Sequence, residues 1–198
     1  MTYDAARTRG APGAPLFLTF HGTGGTERQF HGLAGQLRPG AHVVSPRGDV
    51  SESGALRYFR RTAEGVYDMD DLGRRTEAMA DFIAAERAAA GADRVIGLGY
   101  SNGANILASV AFARPELVDD LILFHPLIPF DPPPAPGLTG RRILVTAGER
   151  DPICPPGLTR ALIARLRSGG AIVDAHWHPG GHELVPSEIA AARAFLEA

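Results

Sequence analysis

A serine, an acid and a histidine are the residues whose types and spacing point first to chemistry. Gly99-Tyr100-Ser101-Asn102-Gly103 is a G-x-S-x-G motif, which places a serine on a tight turn between a strand and a helix. The flanking patterns fit that context, because residues 94–98 form a short apolar run and residues 105–111 have the i, i+3, i+4 spacing of a core-facing helix. Ser101 is therefore predicted to be a nucleophile.

A candidate acid and a candidate base follow two later strands. Residues 143–148 read as a buried strand that leads to Asp151, and residues 171–175 read as a strand that leads to His182. Functional groups in a parallel sheet collect beyond the carboxyl ends of the strands. The order Ser, Asp, His along the chain is that of α/β-hydrolase triads, so Asp151 and His182 are predicted to act with Ser101.

Neighbouring residues offer alternatives for both partners. Glu149 or Asp174 could be the acid in place of Asp151. His176 and His178 are rivals for the base, and together with His182 they could form a three-histidine zinc site. The zinc interpretation leaves Ser101 without a role and provides no obvious acidic general base. The triad is the preferred prediction, with no metal.

A glycine-rich loop follows the first apolar strand, residues 16–20. His21-Gly22-Thr23-Gly24-Gly25-Thr26 lacks the spacing of a dinucleotide-binding fingerprint, and a phosphate-binding P-loop would require a lysine. An oxyanion-hole loop fits better, because a backbone amide near Thr23 would face the loop that carries Ser101. His21 reads as a structural hydrogen-bonding residue.

Composition excludes several classes of protein. All 20 basic residues among the 198 are arginine, which rules out Schiff-base chemistry, lysine-bound pyridoxal phosphate and a serine-lysine dyad. A formal net charge of -2 argues against nucleic acid as a partner. The single cysteine, Cys154, cannot form an internal disulfide, and the sequence has neither a signal-peptide pattern nor an 18-residue apolar run. A cytoplasmic protein without a membrane span is expected.

The element pattern predicts one α/β domain over residues 1–198. Apolar strands alternate with amphipathic helices, which is typical of a doubly wound, mostly parallel sheet with helices on both faces. Residues 1–15 are rich in Gly, Pro and Ala and are predicted to be a flexible arm. Residues 47–70 show no clear periodicity and are predicted to form one wall of a substrate pocket, with little material for a lid.

The motifs together resemble the phospholipase/carboxylesterase family of small α/β-hydrolases. The resemblance rests on the His21-Gly22-Thr23-Gly24-Gly25 loop, the motif around Ser101, the Gly148-x-x-Asp151 loop and Gly181-His182-Glu183. It implies a serine carboxylesterase with the triad Ser101, Asp151 and His182, and with oxyanion donors from the backbones of Thr23 and Asn102. Thr23, Gly25 and Asn102 differ from the residues common in the family, which bears on the substrate more than on the mechanism.

The substrate is expected to be a small ester, bound without a cofactor by a monomer or homodimer. A shallow acyl site gains free energy only for the methylenes that it buries, so acyl chains of roughly two to six carbons are expected to be preferred. A lysophospholipase, an acyl-thioesterase and a non-catalytic ligand receptor are the alternatives. Arg57, Arg60 and Arg61 could bind a substrate carboxylate if they face the pocket. The predicted apolar walls are Phe59, Leu127, Ile128, Ile153 and Trp177.

Overall fold

The structure, a computed structural model, describes residues 3–128, 132 and 135–198. Its strands are β1 (Ala5–Thr8), β2 (Leu16–Phe20), β3 (His42–Pro46), β4 (Val50–Glu52), β5 (Ala55–Arg57), β6 (Arg61–Ala63), β7 (Val66–Tyr67), β8 (Val95–Tyr100), β9 (Asp120–Phe124), β10 (Arg142–Gly148) and β11 (Ile172–His178). The helices are α1 (His31–Leu37), α2 (Met69–Ala90), α3 (Asn102–Ala113), α4 (Pro156–Ser168) and α5 (Pro186–Glu197).

Seven strands form the central sheet, in the order β1-β3-β2-β8-β9-β10-β11. Every pairing within it is parallel except that of β1 with β3. Parallel strands joined through helices place all their carboxyl ends at one edge. The predicted α/β-hydrolase fold is confirmed.

Both faces of the sheet are covered by helices. Alternation along β2 sends Leu16 and Leu18 into the apolar cluster shared with α2, α3 and α4, and Phe17 into the cluster shared with α1 and α5. The helix α2 begins where the Asp68 side chain accepts a hydrogen bond from the Asp71 amide at 3.0 Å, and it ends at Gly91 with a φ of 60°. The two-sided core explains why β2, β8 and β9, inside the sheet, are mostly apolar.

The N-terminal segment is not a flexible arm over its described residues. Residues 5–8 form β1, which pairs with β3, and the Tyr3 ring packs edge-on against Phe82 at 5.5 Å between centroids. An edge strand needs only one row of hydrogen bonds and can therefore be polar, so the apolar pattern that marks the inner strands is missing here. The prediction is wrong for residues 3–8, and residues 1 and 2 lie outside the described residues.

The segment between β3 and α2 contains two small β-hairpins. We call residues 50–67 the front wall. Strands β4 and β5 are joined through Ser53 and Gly54, whose φ values of 52° and 89° suit a tight hairpin turn, and β6 and β7 are joined through Gly65, with a φ of 69°. Strands of two or three residues are too short for a readable alternation, which explains why the sequence showed no periodicity here. No helix among the described residues is long and apolar enough to cross a membrane.

Candidate active site

Ser101 occupies a strained turn between β8 and α3. Its φ of 52° and ψ of −119° lie where few residues other than glycine are found. A side chain at Gly103 would lie 2.4 Å from the Phe20 carbonyl, and one at Gly99 would lie 2.6 Å from the Gly103 carbonyl. Both glycines are therefore required for strand and helix to approach each other at this turn.

A chain of hydrogen bonds joins the three residues that the sequence singled out. His182 Nε2 lies 2.9 Å from Ser101 Oγ, and His182 Nδ1 lies 2.7 Å from Asp151 Oδ2. Because an ionised carboxylate only accepts, the proton between Asp151 and His182 is on Nδ1, which leaves Nε2 free to accept the serine proton. The geometry is that of a nucleophile, a base and an acid.

Asp151 is held from several directions. Its Oδ1 accepts hydrogen bonds from the Ile153 and Cys154 amides, both at 2.8 Å. The orientation of the carboxylate is therefore fixed by contacts other than that with His182. The rival acids Glu149 and Asp174 are exposed, and among the described residues His182 Nδ1 contacts Asp151 and neither of them.

A second histidine contacts the same carboxylate. His125 Nδ1 lies 2.9 Å from Asp151 Oδ2, and its Nε2 lies 3.0 Å from Glu188 Oε1 in an ion-pair contact. The side chains of His125, Asp151 and Glu188 are fully buried. His125 also has a positive φ, of 49°, and Glu188 accepts a hydrogen bond from Thr146 Oγ1 at 2.5 Å. We call His125 and Glu188 the rear pair.

Contacts within the rear pair and with Asp151 determine the protonation of His125 and Asp151. Burial lowers the pKa of His125, but its hydrogen bonds and charge interactions with Asp151 and Glu188 outweigh burial and raise the pKa to about 9. Burial raises the pKa of Asp151, but the hydrogen bonds from His125, His182 and the Cys154 amide hold it well below its usual range. At neutral pH the site therefore contains a buried imidazolium and a carboxylate.

The loops that carry Asp151 and His182 are packed directly on each other. A side chain at Gly148 would lie 2.0 Å from the Gly181 carbonyl, which only glycine permits. The Arg150 amide donates to the Gly180 carbonyl at 2.9 Å. Tyr100 Oη donates to the His182 carbonyl at 2.7 Å, which ties the histidine loop to the serine strand.

Two backbone amides are available near Ser101. Thr23 and Asn102 both line the cavity that contains Ser101. Asn102 is the first residue of α3, so the helix offers its amide no acceptor, and the positive end of the helix dipole lies there. No hydrogen bond within the described residues uses the Thr23 amide. His21 holds the loop, since its Nδ1 donates to the Gly22 carbonyl at 2.7 Å and its Nε2 accepts from the Gly48 amide at 2.9 Å.

Two buried asparagines on α3, Asn102 and Asn105, hold the walls of the cavity through their side chains. The sequence predicted only a backbone role for Asn102 and no role for Asn105. Asn102 Oδ1 accepts from the Tyr58 amide at 2.8 Å and so fixes the front wall. Asn105 Oδ1 accepts from the Leu127 amide, and its Nδ2 donates to Tyr67 Oη, both at 2.7 Å. The signal available in the sequence was a pair of amides, three residues apart, on a helix whose other residues are apolar or small.

The cavity beside Ser101 is small and partly polar. Its volume is about 270 Å³. Of the predicted walls, Leu127 and Ile153 line it. Phe59, Ile128 and Trp177 do not, which corrects the prediction: Phe59 and Ile128 are buried in the core, and the Trp177 ring stacks under the Arg160 guanidinium at 4.2 Å. Within the described part of the chain, the cavity is lined by Thr23, Arg57, Arg61, Glu64, Gly65, Tyr67, Tyr100, Ser101, Asn102, Asn105, Leu127, Ile153, Cys154 and His182.

The three arginines of the front wall divide into two groups. Arg57 and Arg61 line the cavity. Arg60 does not, because its guanidinium binds Asp68 at 2.9 Å and lies 3.8 Å from Asp71. Arg60 is therefore a surface residue.

The three-histidine zinc site is not formed. His176 Nε2 contacts Ser187 Oγ at 3.0 Å, while His182 contacts Ser101 and Asp151. Among the described residues, two groups of side chains bring possible metal ligands within 4.8 Å of one another, and neither combines His176, His178 and His182. The groups are His125, Asp151 and His182, and His125, His178 and Glu188.

Fold and site together define the class of the protein as an α/β-hydrolase. Comparison with family models finds no match. The chain is 40% identical over 184 residues to MhqD of Bacillus subtilis (strain 168), which is named as a candidate hydrolase, and the match covers 92% of each protein.

Solved structures agree with this assignment. A protein of unknown function from Agrobacterium tumefaciens, Atu2452, is 56% identical with a TM-score of 0.96, and the match covers 98% of this chain and 96% of that one. A Bacillus cereus carboxylesterase is 35% identical with a TM-score of 0.93, covering 98% and 93%. YahD, solved with malic acid, is 26% identical with a TM-score of 0.90, covering 99% and 98%. The chain belongs to the phospholipase/carboxylesterase-type family of α/β-hydrolases, and it is an esterase-type hydrolase.

Proposed function

We propose that this protein is a serine carboxylesterase that acts through Ser101, His182 and Asp151. The observation that carries the proposal is the hydrogen-bonded chain of these three side chains, with distances of 2.9 and 2.7 Å, at the wall of a cavity. These hydrogen bonds also argue against a non-catalytic receptor, because a binding protein does not need a strained serine aligned with a base.

The reaction would proceed by acyl transfer in two halves. His182 Nε2 accepts the Ser101 proton as Oγ attacks the ester carbonyl carbon, and the same imidazolium then protonates the departing alcohol. The Thr23 and Asn102 amides bind the oxyanion of the tetrahedral intermediate, where charge develops. Asp151 orients His182 and stabilises its charged form. Water, activated by His182, then hydrolyses the acyl-enzyme.

The size of the cavity supports a short substrate. A volume of about 270 Å³ leaves little room for a long acyl chain, and each further methylene left in water gains nothing of the ~0.8 kcal/mol that burial provides. The similar protein YahD was solved with malic acid, a small polar molecule. We therefore propose esters with acyl chains of roughly two to six carbons; a thioester would use the same groups, and a lysophospholipid would need a longer groove.

Covalent labelling tests the nucleophile. A fluorophosphonate probe should label the wild-type protein once, at Ser101, and Ser101→Ala should abolish the label and lower turnover by on the order of 10⁶-fold. Ser109→Ala is the matched control, since Ser109 lies on α3, the helix that follows Ser101, away from the described cavity lining, and should keep both properties. A Ser101→Ala protein with a tenth of the wild-type activity, or an EDTA-sensitive activity restored by zinc, would contradict the proposal.

A series of p-nitrophenyl esters from acetate to palmitate tests the substrate length. The value of kcat/KM should be greatest at roughly two to six carbons and fall beyond them, because longer chains extend out of the cavity. A maximum at about twelve carbons or more would favour a lysophospholipase. Faster turnover of matched acyl thioesters than of oxygen esters would favour the thioesterase.

A further inference from the structure

Arg57 is a buried cation at the wall of the candidate active site. It ends β5 in the front wall, and it is only 3% exposed although it lines the cavity that contains Ser101. Moving a guanidinium out of water is costly unless nearby anions and hydrogen-bond acceptors compensate for the lost hydration. The contacts of the Arg57 guanidinium therefore indicate whether its charge is compensated within the protein.

The hydrogen bonds of Arg57 leave one of its nitrogens unused. Nη1 donates to Thr23 Oγ1 at 2.8 Å, and Nε donates to the Phe59 carbonyl at 3.3 Å. No hydrogen bond within the described residues uses Nη2. The nearest carboxylate is that of Glu52, whose Oε2 lies 3.3 Å from Nη1.

Glu52 compensates Arg57 only in part, because another arginine shares it. Arg61 Nε donates to both oxygens of Glu52, at 3.0 and 3.1 Å, and Arg61 also pairs with Glu64. The Glu52 side chain is 41% exposed, so water weakens its interaction with Arg57. Burial lowers the pKa of Arg57, with Arg61 as the next cause, which is the electrostatic sign of a cation short of compensation.

Thr23 offers a second donor beside Arg57. Its Oγ1 accepts the hydrogen bond from Arg57, so its own O–H proton remains available for another acceptor. Thr23 lines the same cavity, and its backbone amide is one of the two proposed oxyanion donors. An anion bound by Arg57 and the Thr23 hydroxyl would therefore lie in the cavity that contains Ser101, beside one of the proposed oxyanion donors.

We infer that Arg57 and the Thr23 hydroxyl form a carboxylate-binding subsite, so that the preferred substrates are short esters that also carry a carboxylate. The inference rests on the proposed esterase function and adds the substrate class. A carboxylate accepts charge-assisted hydrogen bonds from a guanidinium and an ordinary one from a hydroxyl, and it supplies the charge that Glu52 provides only in part. The carboxylate could belong to the acyl group or to the alcohol, and the two give separate arms of the test.

The acyl arm compares mono-p-nitrophenyl glutarate with p-nitrophenyl valerate, which has the same chain length and no charge. The Ser101→Ala protein, run in parallel, supplies the uncatalysed rate of each ester. The measured quantity is the ratio of kcat/KM for the acidic ester to that for the neutral one. The alcohol arm compares carboxymethyl butyrate with ethyl butyrate, followed by titration of the released acid.

The expected ratio is above one in at least one arm of the wild-type test. Arg57→Gln should lower that ratio by about tenfold or more, and Thr23→Val should lower it by a few-fold, because charged hydrogen bonds contribute more than neutral ones. Arg57→Lys, which keeps the charge, should restore part of the ratio. Arg60→Gln is the matched control: it removes an arginine three positions away that does not line the cavity, and it should leave the ratio unchanged.

A wild-type ratio of one or less in both arms would overturn the inference, as would a ratio that Arg57→Gln leaves unchanged. If Arg57→Gln does not fold, inhibition of the wild-type protein tests the subsite instead. The inhibition constant of glutarate against hydrolysis of p-nitrophenyl valerate should be at least about tenfold lower than that of valeramide. Equal inhibition by the two would then overturn it. A wild-type protein that hydrolyses p-nitrophenyl valerate but does not prefer the acidic esters contradicts only the subsite, whereas full activity in Ser101→Ala contradicts the esterase itself.

Discussion

The rear and the front of the candidate site are both built from ion pairs, but the two are placed in opposite surroundings. At the rear, the side chains of His125, Asp151 and Glu188 are wholly buried. In the front wall, Arg61 pairs with Glu52 and Glu64, whose side chains are 41% and 58% exposed. Charges in a dry interior interact strongly and tolerate little change, whereas water and salt screen exposed ones.

The rear pair and the front wall are therefore expected to have different roles. The rear pair holds the Asp151 carboxylate, which contacts His182, so the proposed reaction would depend on groups that are buried in the fold. The front wall lines the candidate cavity, and the partly exposed ion pairs of its two small hairpins can change at low cost to the fold. Substitutions at the rear should therefore alter turnover and stability, and those at the front should alter the choice of substrate.

The largest effect is expected for the acid that the rear pair supports. Asp151→Asn should lower kcat by on the order of 10⁴-fold, because the amide no longer stabilises the correct tautomer and charge of His182. Steady-state kinetics with a short p-nitrophenyl ester measures it. Asp174→Asn, at an exposed position on β11, is the control and should be fully active. Activity lost in Asp174→Asn but kept in Asp151→Asn would mean that the acid is misassigned.

Stability should fall as the rear pair loses its proton. The pKa of His125 is raised from 6.5 to about 9 in the fold, so the folded state binds this proton more tightly than the unfolded chain does. The resulting stabilisation is fully present below about pH 6.5 and is lost as pH rises through about 9, at a cost on the order of 1–3 kcal/mol in unfolding free energy.

Urea unfolding followed by the fluorescence of the single tryptophan, Trp177, measures this dependence between pH 6 and pH 10. Glu188→Gln should flatten the curve, since it removes one of the two carboxylates that raise the His125 pKa. Stability that rises over this range in the wild-type protein would contradict a buried imidazolium.

A smaller effect on turnover is expected from substitution of Glu188, the member of the rear pair that does not contact Asp151. Glu188→Gln should lower kcat by about tenfold, equivalent to ~1.4 kcal/mol, with KM unchanged, because the side chain acts through His125 and Asp151 and does not line the cavity. Glu149→Gln, at an exposed position next to the same loop, is the control. A change in KM alone would place the effect in the substrate pocket and contradict a positioning role.

The smallest effect is expected at the front. Arg61→Gln should change the unfolding free energy by less than about 1 kcal/mol, because partly exposed ion pairs contribute little. The same urea titration measures it at low and at high salt. A loss of several kcal/mol would show that the ion pairs of the front wall support the fold as strongly as the rear pair does.

The sequence predicted the parts of this molecule whose patterns are local. Continuous apolar runs identified the inner parallel strands, and the G-x-S-x-G motif identified the turn at Ser101. Asp151 and His182 followed from one topological rule, that the carboxyl ends of parallel strands meet at one edge. The structure brings these three side chains into hydrogen-bond contact.

The parts that were missed depend on contacts between distant residues. His125 reaches Asp151 and Glu188, which lie 26 and 63 positions further along the chain, and nothing in the local pattern pairs them. Trp177 was placed in the pocket from its position in the chain, but it packs on Arg160 instead. The polar edge strand β1 has no apolar alternation, so only its pairing with β3 reveals it.

The thiol of Cys154 can be used to measure movement of the loop that carries Asp151. Cys154 is the only cysteine in the chain, it is 1% exposed, and its amide is one of the two that hold Asp151. Burial raises the pKa of this thiol, so it is protonated. Although Cys154 lines the cavity, its 1% exposure means that a disulfide reagent can react with it only when the packing around the loop that carries Asp151 opens. The rate of thiol labelling under native conditions therefore measures how often the loop around Asp151 opens, without a tag or a substitution.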